Sequence, residues 1–558
     1  MEHLRLLLAI VLTVMVFLLW ELFFVPERPD QQPEAPGQSE TRQQESANEK
    51  PARAGDKQVS GSGAKDSAQL DEHEIPAKRF NTITVENELF RAEISEKGAA
   101  VNFFVLKDYK EGPGDDASFR VLVPEENRDG TALVRLAGSG LPDASEAIFT
   151  TDFDSDRMEV SDRERTLSFY WKAGEDFILE KRYRFYPDSY KIGLSINIIN
   201  QSEKSLPSDL FLEMTNPPPD GRTFAFQGPF ASIDNKLEEI KVSDIDDKSV
   251  YPGEIQWTGI EDRYFMTAMV PEDPVQTELR LSHEQEKDLL RVSYLHPGEA
   301  LEPGGSRQFD FELFMGPKRM SDLKAFGHDL EKAIDFGFFD IIAKPCLWLM
   351  NKIYNNVVSN YGVAIILLTI LFKIIFWPLG NKSYRSMAEM KKLQPLMSEI
   401  RKKYKDDKKR MNEEVMRLYK TYKVNPMSGC LPMVVQIPVF IAFYRMLYES
   451  IELRHAPFML WINDLSSPDR LFRFDVTIPF MAPPYGIPVL TVIMGATMFL
   501  QQKLSPPPGD PSQAKIMMLM PLIFTVIFIN FPAGLVLYWL TNNVLSIAQQ
   551  YYVTRKIV

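Results

Sequence analysis

The chain has 558 residues, a formal net charge of −13, two cysteines and a slightly negative mean hydropathy of −0.19. Its six histidines are scattered, and the sequence has no glycine-rich phosphate loop, no H-E-x-x-H and no cysteine–histidine pair with metal-ligand spacing. We therefore expect neither an enzyme nor a cofactor or metal site, and no specific DNA binding.

The N-terminal region predicts a membrane anchor followed by a flexible tether. Residues 1–25 contain a short charged start, at Arg5, and an apolar core from Leu6 to Trp20. No small-x-small cleavage site follows this core, which favours an uncleaved signal anchor and first transmembrane span over a cleaved signal peptide. Residues 26–79 have almost no large apolar side chains to offset their ordering entropy, so we predict a disordered periplasmic tether there.

Residues 80–317 have the pattern of an all-β domain. Short runs rich in β-branched and aromatic residues, such as Thr82 to Val85 and Tyr190 to Ile199, are separated by Gly, Pro, Asn and Asp. Many closely spaced strands with no helical periodicity between them are typical of an antiparallel sandwich or barrel. The segment is acidic and accounts for most of the negative charge of the chain.

The remainder of the chain predicts interfacial helices followed by a membrane core. Residues 318–356 include apolar residues mixed with charged ones, which is typical of amphipathic helices on the outer membrane surface. Residues 357–558 contain five further apolar runs near the length that a bilayer core requires. These runs are Tyr361 to Pro378, Met427 to Tyr448, Gly486 to Gln501, Lys515 to Phe531 and Gly534 to Tyr552. With the anchor they predict a polytopic α-helical membrane protein of six spans, five of them in the C-terminal core.

The loop between the second and third spans sets the predicted orientation. Between Lys382 and Lys423 there are fourteen basic residues against six acidic ones, a net charge of +8. Short loops rich in Lys and Arg stay in the cytoplasm. We therefore predict that this loop and both chain termini are cytoplasmic, and that the β domain lies on the outer side of the membrane.

The same loop, residues 381–425, predicts a helical hairpin. Apolar side chains recur at intervals of three and four residues in two stripes, which allows two short helices to close on each other. The stripes consist of Met390, Leu393, Met397, Ile400 and Tyr404, and of Met411, Val415, Leu418 and Tyr422. The hairpin is either a solvated connection or a docking surface for an anionic partner such as ribosomal RNA or lipid headgroups. The basic residues of that candidate surface are Lys402, Lys403, Lys405, Lys408, Lys409 and Arg410.

Two features inside the predicted spans indicate a polar cavity. The third span contains Pro432, Pro438 and the amide of Gln436, and freed backbone carbonyls in lipid need polar partners. The second span contains Lys373, with Thr369 one turn away on the same face. An ionisable residue within a span defaults to a functional hypothesis, although a lysine stem near the headgroups can also snorkel to them.

These motifs resemble the YidC-type membrane protein insertases. Asn425-Pro426, Gly429-Cys430 and the polar and proline positions up to Tyr444 are similar to the third span of that family. Phe531-Pro-Ala-Gly-Leu-Val-Leu-Tyr538 is similar to its last hairpin, and the tether and outer β domain are typical of its Gram-negative members. The resemblance implies a protein of the bacterial inner membrane whose periplasmic domain has the β-supersandwich fold.

The resemblance also implies a function and the residues that carry it. A five-span core would enclose a hydrophilic groove, open to the cytoplasm and to lipid, through which nascent membrane proteins are inserted, folded and assembled. The groove and substrate-contact residues would be Lys373, Thr369, Gln436, Tyr538 and Trp539. The family position matching Lys373 is usually arginine, and lysine keeps the charge but loses the bidentate donor pair.

Partners follow from the same resemblance. Nascent membrane proteins and membrane lipid are expected, together with the Sec translocon (SecYEG), the ribosome and the signal-recognition-particle receptor. A small-solute transporter is one alternative, but it would favour an internal repeat, and none is visible. A membrane-tethered carbohydrate-active domain is the other, because His283 and His296 fall in the β domain, where solvated or core positions are the simpler interpretation.

Overall fold

The computed structural model describes most of the chain from residue 80 onward. The described residues are 80–114, 116–125, 129–138, 142–174, 177–219, 225–422, 424, 431–504 and 511–557. The predicted signal anchor at residues 1–25 and the predicted tether at residues 26–79 lie outside them, as do Asn425-Pro426 and Gly429-Cys430 of the third-span motif.

The first half of the described chain is built from eighteen strands. They are β1 (Thr82–Glu86), β2 (Phe90–Ser95), β3 (Val101–Lys110), β4 (Phe119–Val123), β5 (Leu133–Leu136), β6 (Thr150–Thr151), β7 (Arg157–Glu159), β8 (Arg165–Ala173), β9 (Phe177–Phe185), β10 (Lys191–Asn200), β11 (Leu210–Asn216), β12 (Gly228–Ile233), β13 (Lys236–Glu239), β14 (Val250–Glu261), β15 (Phe265–Pro271), β16 (Gln276–Glu284), β17 (Leu289–His296) and β18 (Ser306–Pro317). The prediction of a β-rich domain is confirmed.

The strands form two sheets with mostly antiparallel neighbours. A five-stranded sheet has the order β4-β3-β2-β1-β7, and a larger sheet runs β5-β11-β17-β16-β14-β15-β18-β10-β9-β8-β6 with β12 and β13 attached to β14. Alternate side chains of β10 are buried, as the two-residue period of a half-buried strand requires. Trp257, Tyr183 and Tyr294 are among the largest fully buried side chains, so aromatic packing dominates this core.

The core of the β domain also contains a fully buried lysine, Lys181 of β9. Its ammonium donates hydrogen bonds to the carbonyls of Gly98 at 3.1 Å and Ala99 at 2.8 Å, and to that of Ala132. Burial lowers the pKa of Lys181 well below its ordinary value. Three carbonyl acceptors nevertheless match the three donors of the protonated form, so we assign Lys181 as an ammonium that holds the β2–β3 turn.

Ten α-helices follow within the described segments, with a four-residue 3-10 turn at Leu330–Ala333 between the first two. They are α1 (Met320–Phe326), α2 (Asp340–Asn356), α3 (Tyr361–Ile375), α4 (Trp377–Lys392), α5 (Gln394–Lys403), α6 (Lys408–Thr421), α7 (Leu431–Glu449), α8 (Val489–Leu504), α9 (Pro511–Phe528) and α10 (Ala533–Ile557). A helical C-terminal region therefore follows the β domain, as predicted. α10 packs against α3, α4, α7 and α8 and is the central helix of this region.

The predicted second span, Tyr361 to Pro378, contains a bend near its end. α3 ends at Ile375, and the chain bends by 66° before α4 begins at Trp377. Pro378 lies in the first turn of α4, where its missing N–H and fixed φ are tolerated, whereas a proline further along one helix would break its hydrogen bonds.

Length and composition test the predicted spans only in part. Among the described residues, no helix taken singly has both the length and the apolar composition of a membrane span, whereas α3 and α4 have them as a bent pair. α8 and the Met517–Phe528 part of α9 are apolar but shorter. The number of six spans therefore stays a prediction.

The β domain contacts the helical region through arginines. Arg263, between β14 and β15, donates through Nε to the carbonyl of Tyr448 at 2.7 Å, and its guanidinium carbon lies 3.7 Å from the centre of the Tyr448 ring. Arg454, beyond the end of α7, donates to the carbonyl of Lys110 and lies 5.2 Å from the ring of Phe265. The β domain is thus held at the C-terminal end of α7.

Candidate functional site

Lys373 lies in the last turn of α3 and points toward α10. Its ammonium donates to Ser546 Oγ at 2.6 Å and lies 3.5 Å from Asn542 Oδ1. Ser546 follows Asn542 by four residues, so the two side chains lie on one face of α10. The Ser546 hydroxyl in turn donates to the Asn542 carbonyl at 2.7 Å, which fixes its orientation.

Gln436 of α7 completes this arrangement. Its amide Nε2 donates to Asn542 Oδ1 at 3.1 Å. Lys373, Gln436, Asn542 and Ser546, called here the polar network, therefore join three helices. Of the ion pairs found within the described ranges, none includes Lys373, so hydroxyl and amide groups are the partners that the structure shows for this positive charge. A cation without a carboxylate partner can attract an anionic group of another molecule.

Other amides of α10 have separate partners. Gln549 donates to the carbonyl of Trp377 and to Asn381 Oδ1, both at 3.0 Å, and Asn543 donates to Thr497 of α8 at 3.3 Å. Gly380 permits the first contact, because a Cβ there would lie 2.7 Å from Gln549 Nε2. These bonds tie α10 to α4 and α8 on either side of the polar network.

The structure does not join Thr369 to the polar network. Its side chain is buried, and its hydroxyl donates to the carbonyl of Ile365 in the same helix at 2.7 Å. A threonine in an apolar helix commonly satisfies its hydroxyl in this way. Spacing alone placed Thr369 beside Lys373, but this internal bond takes up its donor.

Tyr538 and Trp539 form an aromatic cluster one turn N-terminal to Asn542. The Tyr538 ring stacks on Phe443 at 4.9 Å, and the Trp539 ring meets Phe440 edge-on at 4.6 Å. The cluster therefore lies between the polar network and the N-terminal end of α10. The cluster adjoins the network directly, because the Tyr538 side chain also hydrogen-bonds Gln436.

The basic residues of the hairpin lie at its tip. α5 and α6 pack against each other, and the Tyr419 hydroxyl contacts the sulfur of buried Met397 at 3.4 Å. Tyr404 lies between Lys403 and Arg410, whose cationic groups are 5.6 and 5.5 Å from its ring centre. The exposed basic side chains are Lys402, Lys403, Lys405, Lys409 and Arg410, while the side chain of Lys408 lies outside the described ones. A cationic surface is thus presented to solvent.

The two histidines of the β domain have different surroundings. His283 lies 3.2 Å from Asp288, whereas the ring of His296 packs edge-on against Phe309 at 4.9 Å. Burial lowers the pKa of His296. Within the described part of the chain, no group of three or more His, Cys, Asp or Glu residues is arranged to hold a metal ion.

Sequence reasoning singled out Lys373 and Gln436 as site residues but not Asn542 or Ser546. The polar residues Asn542, Asn543, Gln549 and Gln550 mark the last helix as unusual, whereas a serine in an apolar helix is unremarkable. The available signal was the four-residue spacing between Asn542 and Ser546, which places two polar groups on one helix face.

Comparison with known proteins identifies the class. A family model described as the YidC periplasmic domain matches residues 82–349, and one described as the 60Kd inner membrane protein matches residues 353–558. The membrane protein insertase YidC of Syntrophus aciditrophicus is 40% identical over 556 residues, covering 99% of both chains. That of Pelobacter propionicus is 40% identical over 557 residues, with the same coverage.

Solved structures are similar at lower identity. A crystal structure of an active YidC insertase with its first transmembrane domain resolved is 19% identical, covers 85% of this chain and 93% of that one, and has a TM-score of 0.37. A putative aldose 1-epimerase from Escherichia coli K12 is 12% identical, covers 42% of this chain and 99% of its own, and has a TM-score of 0.30.

The protein is therefore a membrane protein insertase of the inner membrane, with a β-rich periplasmic domain. The chain belongs to the YidC family. The predicted family and the predicted insertase function are confirmed. The family acts by insertion and is not a family of classical enzymes.

Proposed function

We propose that the polar network lines a hydrated groove that opens to the cytoplasm and ends at the Tyr538–Trp539 aromatic cluster. The observation that carries this proposal is the set of partners of Lys373, which are a hydroxyl and an amide drawn from α10. These two partners do not fully compensate the positive charge of Lys373. Water or a substrate group would therefore complete its solvation.

The groove would act by shortening the apolar layer that a polar segment must cross. Each charge inside a bilayer costs several kcal/mol, and that cost rises with the thickness of lipid that separates it from water. Lys373 would attract acidic residues of the translocated tail into the groove. The apolar segment of the substrate would then move into lipid along α7 and α9, driven by burial at about 25 cal/mol per Å².

Lysine is a suitable cation for this role even though arginine is usual at this position in resembling proteins. The ammonium has three donors and is oriented by one short bond to Ser546. A point charge on a flexible stem attracts carboxylates without demanding a planar, bidentate geometry. The groove would therefore act as an electrostatic attractor rather than as a specific binding pocket.

The arrangement fits six spans with both termini and the hairpin in the cytoplasm. The β domain contacts the C-terminal end of α7, and the hairpin helices α5 and α6 follow α4 at the other end of the α3–α4 pair. The strong positive charge of the hairpin supports a cytoplasmic position for it. α2 would then lie on the outer membrane surface, where its exposed Ile341 and Trp348 face lipid.

The hairpin would recruit cytoplasmic partners. Its exposed lysines and arginine suit ribosomal RNA or the signal-recognition-particle receptor, and assembly of larger substrates would proceed beside the Sec translocon. The cation–π contacts of Tyr404 with Lys403 and Arg410 would order part of this cationic surface.

Photocrosslinking tests the groove. A photoreactive amino acid at Gln436 or at Asn542 should form adducts with a stalled nascent membrane protein, because both side chains belong to the polar network. The same probe at exposed Asp247 of the β domain is the matched control. Adducts only at lipid-facing positions such as Leu522, with none at Gln436 or Asn542, would contradict a substrate-accessible groove.

A further inference from the structure

The loop between α7 and α8, residues 450–488, exposes large apolar side chains at strained backbone positions. Leu460, Phe472 and Phe480 have φ angles of 59°, 51° and 65°. Their side chains are 81%, 73% and 81% exposed. Residues other than glycine rarely adopt positive φ, and the loop has a fourth such residue, His455, at 56°. Solvation alone would not favour exposing the three large apolar side chains at such positions.

A buried arginine holds part of this loop in place. Arg470 is 8% exposed and donates to the carbonyls of Pro484 at 2.9 Å and Ile529 at 2.8 Å. Asn530, next to Ile529, donates to the carbonyl of Phe480 at 2.8 Å. The backbone of Phe480 is therefore fixed by the segment that joins α9 to α10.

The other two strained residues are also framed by backbone hydrogen bonds. Leu471 and Ile487 exchange bonds of 2.9 and 2.7 Å beside Phe472. Phe458 donates to the carbonyl of Ile462 at 2.9 Å, which closes the turn that contains Leu460. Strain persists only where the surroundings over-determine it, so the loop is built to present these side chains.

The loop lies at the end of the helical region that faces the β domain. Asn360, at the start of α3, donates to the carbonyl of Phe458 at 2.9 Å. A Cβ at Gly362 would lie 2.1 Å from the Phe458 ring, so glycine permits this close contact. Because Lys373 lies at the opposite end of α3, the loop and the polar network are on opposite sides of the helical region.

We propose that Leu460, Phe472 and Phe480 insert into the outer leaflet of the bilayer, at the boundary between headgroups and acyl chains. The loop continues directly from α7 into α8, so its exposed side chains are next to the lipid that surrounds those helices. Exposed Arg473 follows Phe472 and can reach lipid phosphates, as basic residues at membrane interfaces do. Separate apolar side chains interspersed with charged ones suit a lipid surface better than a protein groove.

The insertion would fix the depth of the helical region in the membrane. Three anchors on a rigid loop resist vertical displacement, as interfacial aromatic residues generally do. This inference rests on the proposed membrane orientation, but it does not depend on whether the polar network forms a substrate groove.

Depth measurement with the full-length protein tests the proposal. In a Cys346→Ala, Cys430→Ser background, a single cysteine replaces Leu460, Phe472 or Phe480 and is labelled with an environment-sensitive fluorophore. Each labelled protein is placed in lipid nanodiscs that contain spin-labelled lipid as the quencher. Leu522→Cys is the lipid-facing control and Asp247→Cys the water-facing control, because both side chains are exposed and belong to α9 and the β domain. We expect a blue shift and strong quenching at the three loop positions.

The outcomes separate lipid from other occupants. The proposal would be overturned if all three loop positions emitted like position 247 while position 522 was quenched. That result is expected if the loop instead docks on a partner protein that the nanodisc lacks. Where a labelled variant does not fold, the unaltered protein with photoactivatable lipid gives the same test. Lipid adducts on the peptide covering residues 459–480 support insertion, and their absence there, with adducts on α9, overturns it.

Discussion

The β domain and the helical region each contain a lysine away from bulk solvent, and the two are solvated in different ways. Lys181 is fully buried and donates to three backbone carbonyls, so every donor is used. Lys373 is partly buried and has one short bond to a side-chain hydroxyl and one long contact to an amide. Full use of its donors by backbone carbonyls is expected of a structural charge, whereas we expect a charge that side chains solvate incompletely to be available to another molecule.

Charge reversal at Lys373 should have the largest effect. A carboxylate about 4 Å from the ammonium gains about 4 kcal/mol at an effective dielectric constant of 20, so Lys373→Glu should slow insertion of an acidic-tailed substrate on the order of 100-fold or more. Lys373→Arg should be tolerated. Insertion of one substrate with neutral, acidic and basic tails is the measurement.

The controls separate attraction from structure. Lys382→Glu changes an exposed charge of α4 and should leave the tail dependence unchanged. Equal defects for all three tails in Lys373→Glu would show that Lys373 acts only structurally, which would remove the contrast with Lys181.

Sequence patterns predicted one of these two lysines. Lys373 stands out because it interrupts an apolar run, and Gln436 stands out for the same reason. Lys181 lies in Glu180-Lys181-Arg182, which has the composition of an exposed strand face. Its burial depends on the way in which β9 pairs with β8 and β10, and that register is a tertiary property.

The same limit applies to backbone strain and to the boundaries of helices. The order of a β domain followed by apolar helices was predictable, because the spacing of apolar residues along the sequence shows periods of two and of three to four residues. Positive φ at Leu460 and Phe472 was not predictable, because nothing in those residue types favours it. Pro378 suits the first turn of α4, but a proline alone did not predict the break between α3 and α4, because Pro438 lies inside α7 without ending it.

Removal of the buried ammonium of Lys181 should have the next largest effect, and that effect should be on stability rather than on insertion. Lys181→Met leaves the carbonyls of Gly98 and Ala132 without this donor, while Ala99 keeps the Tyr183 hydroxyl at 2.7 Å. Each orphaned acceptor costs about 1–3 kcal/mol, partly offset because no ammonium is then desolvated. We expect a loss of about 2 kcal/mol and a lower Tm of the β domain by roughly 4–8 °C.

Two measurements check the Lys181 prediction. Thermal unfolding of the full-length protein should show the shift for Lys181→Met and none for Lys172→Met, an exposed lysine on the neighbouring strand. Insertion of a short-tailed substrate should persist at temperatures where both variants are folded. A Tm equal to that of the unaltered protein would mean that the three carbonyls do not need Lys181.

Neutralising the hairpin should have a moderate, salt-dependent effect. Unlike Lys181 and Lys373, the hairpin cations are exposed, so their attraction for phosphates is screened by salt. Replacing Lys402, Lys403 and Lys405 by Gln should weaken ribosome binding at low salt and reduce the slope of log affinity against log salt. The control replaces Lys236, Lys241 and Lys248 of the β domain by Gln. An unchanged slope of log affinity against log salt in the hairpin variant would exclude electrostatic docking.

The smallest effect should come from His296. Burial lowers its pKa below the unfolded value of about 6.5, so the folded state binds fewer protons between those two pKa values. Stability of the β domain should therefore rise with pH in that window and fall on acidification. The nearby charged groups, Arg307 and Asp273, act in opposite directions on that pKa. In His296→Gln, the plot of Tm against pH should be flatter than that of the unaltered protein below about pH 6.5 and should match it at higher pH. An unchanged slope would mean that another group titrates.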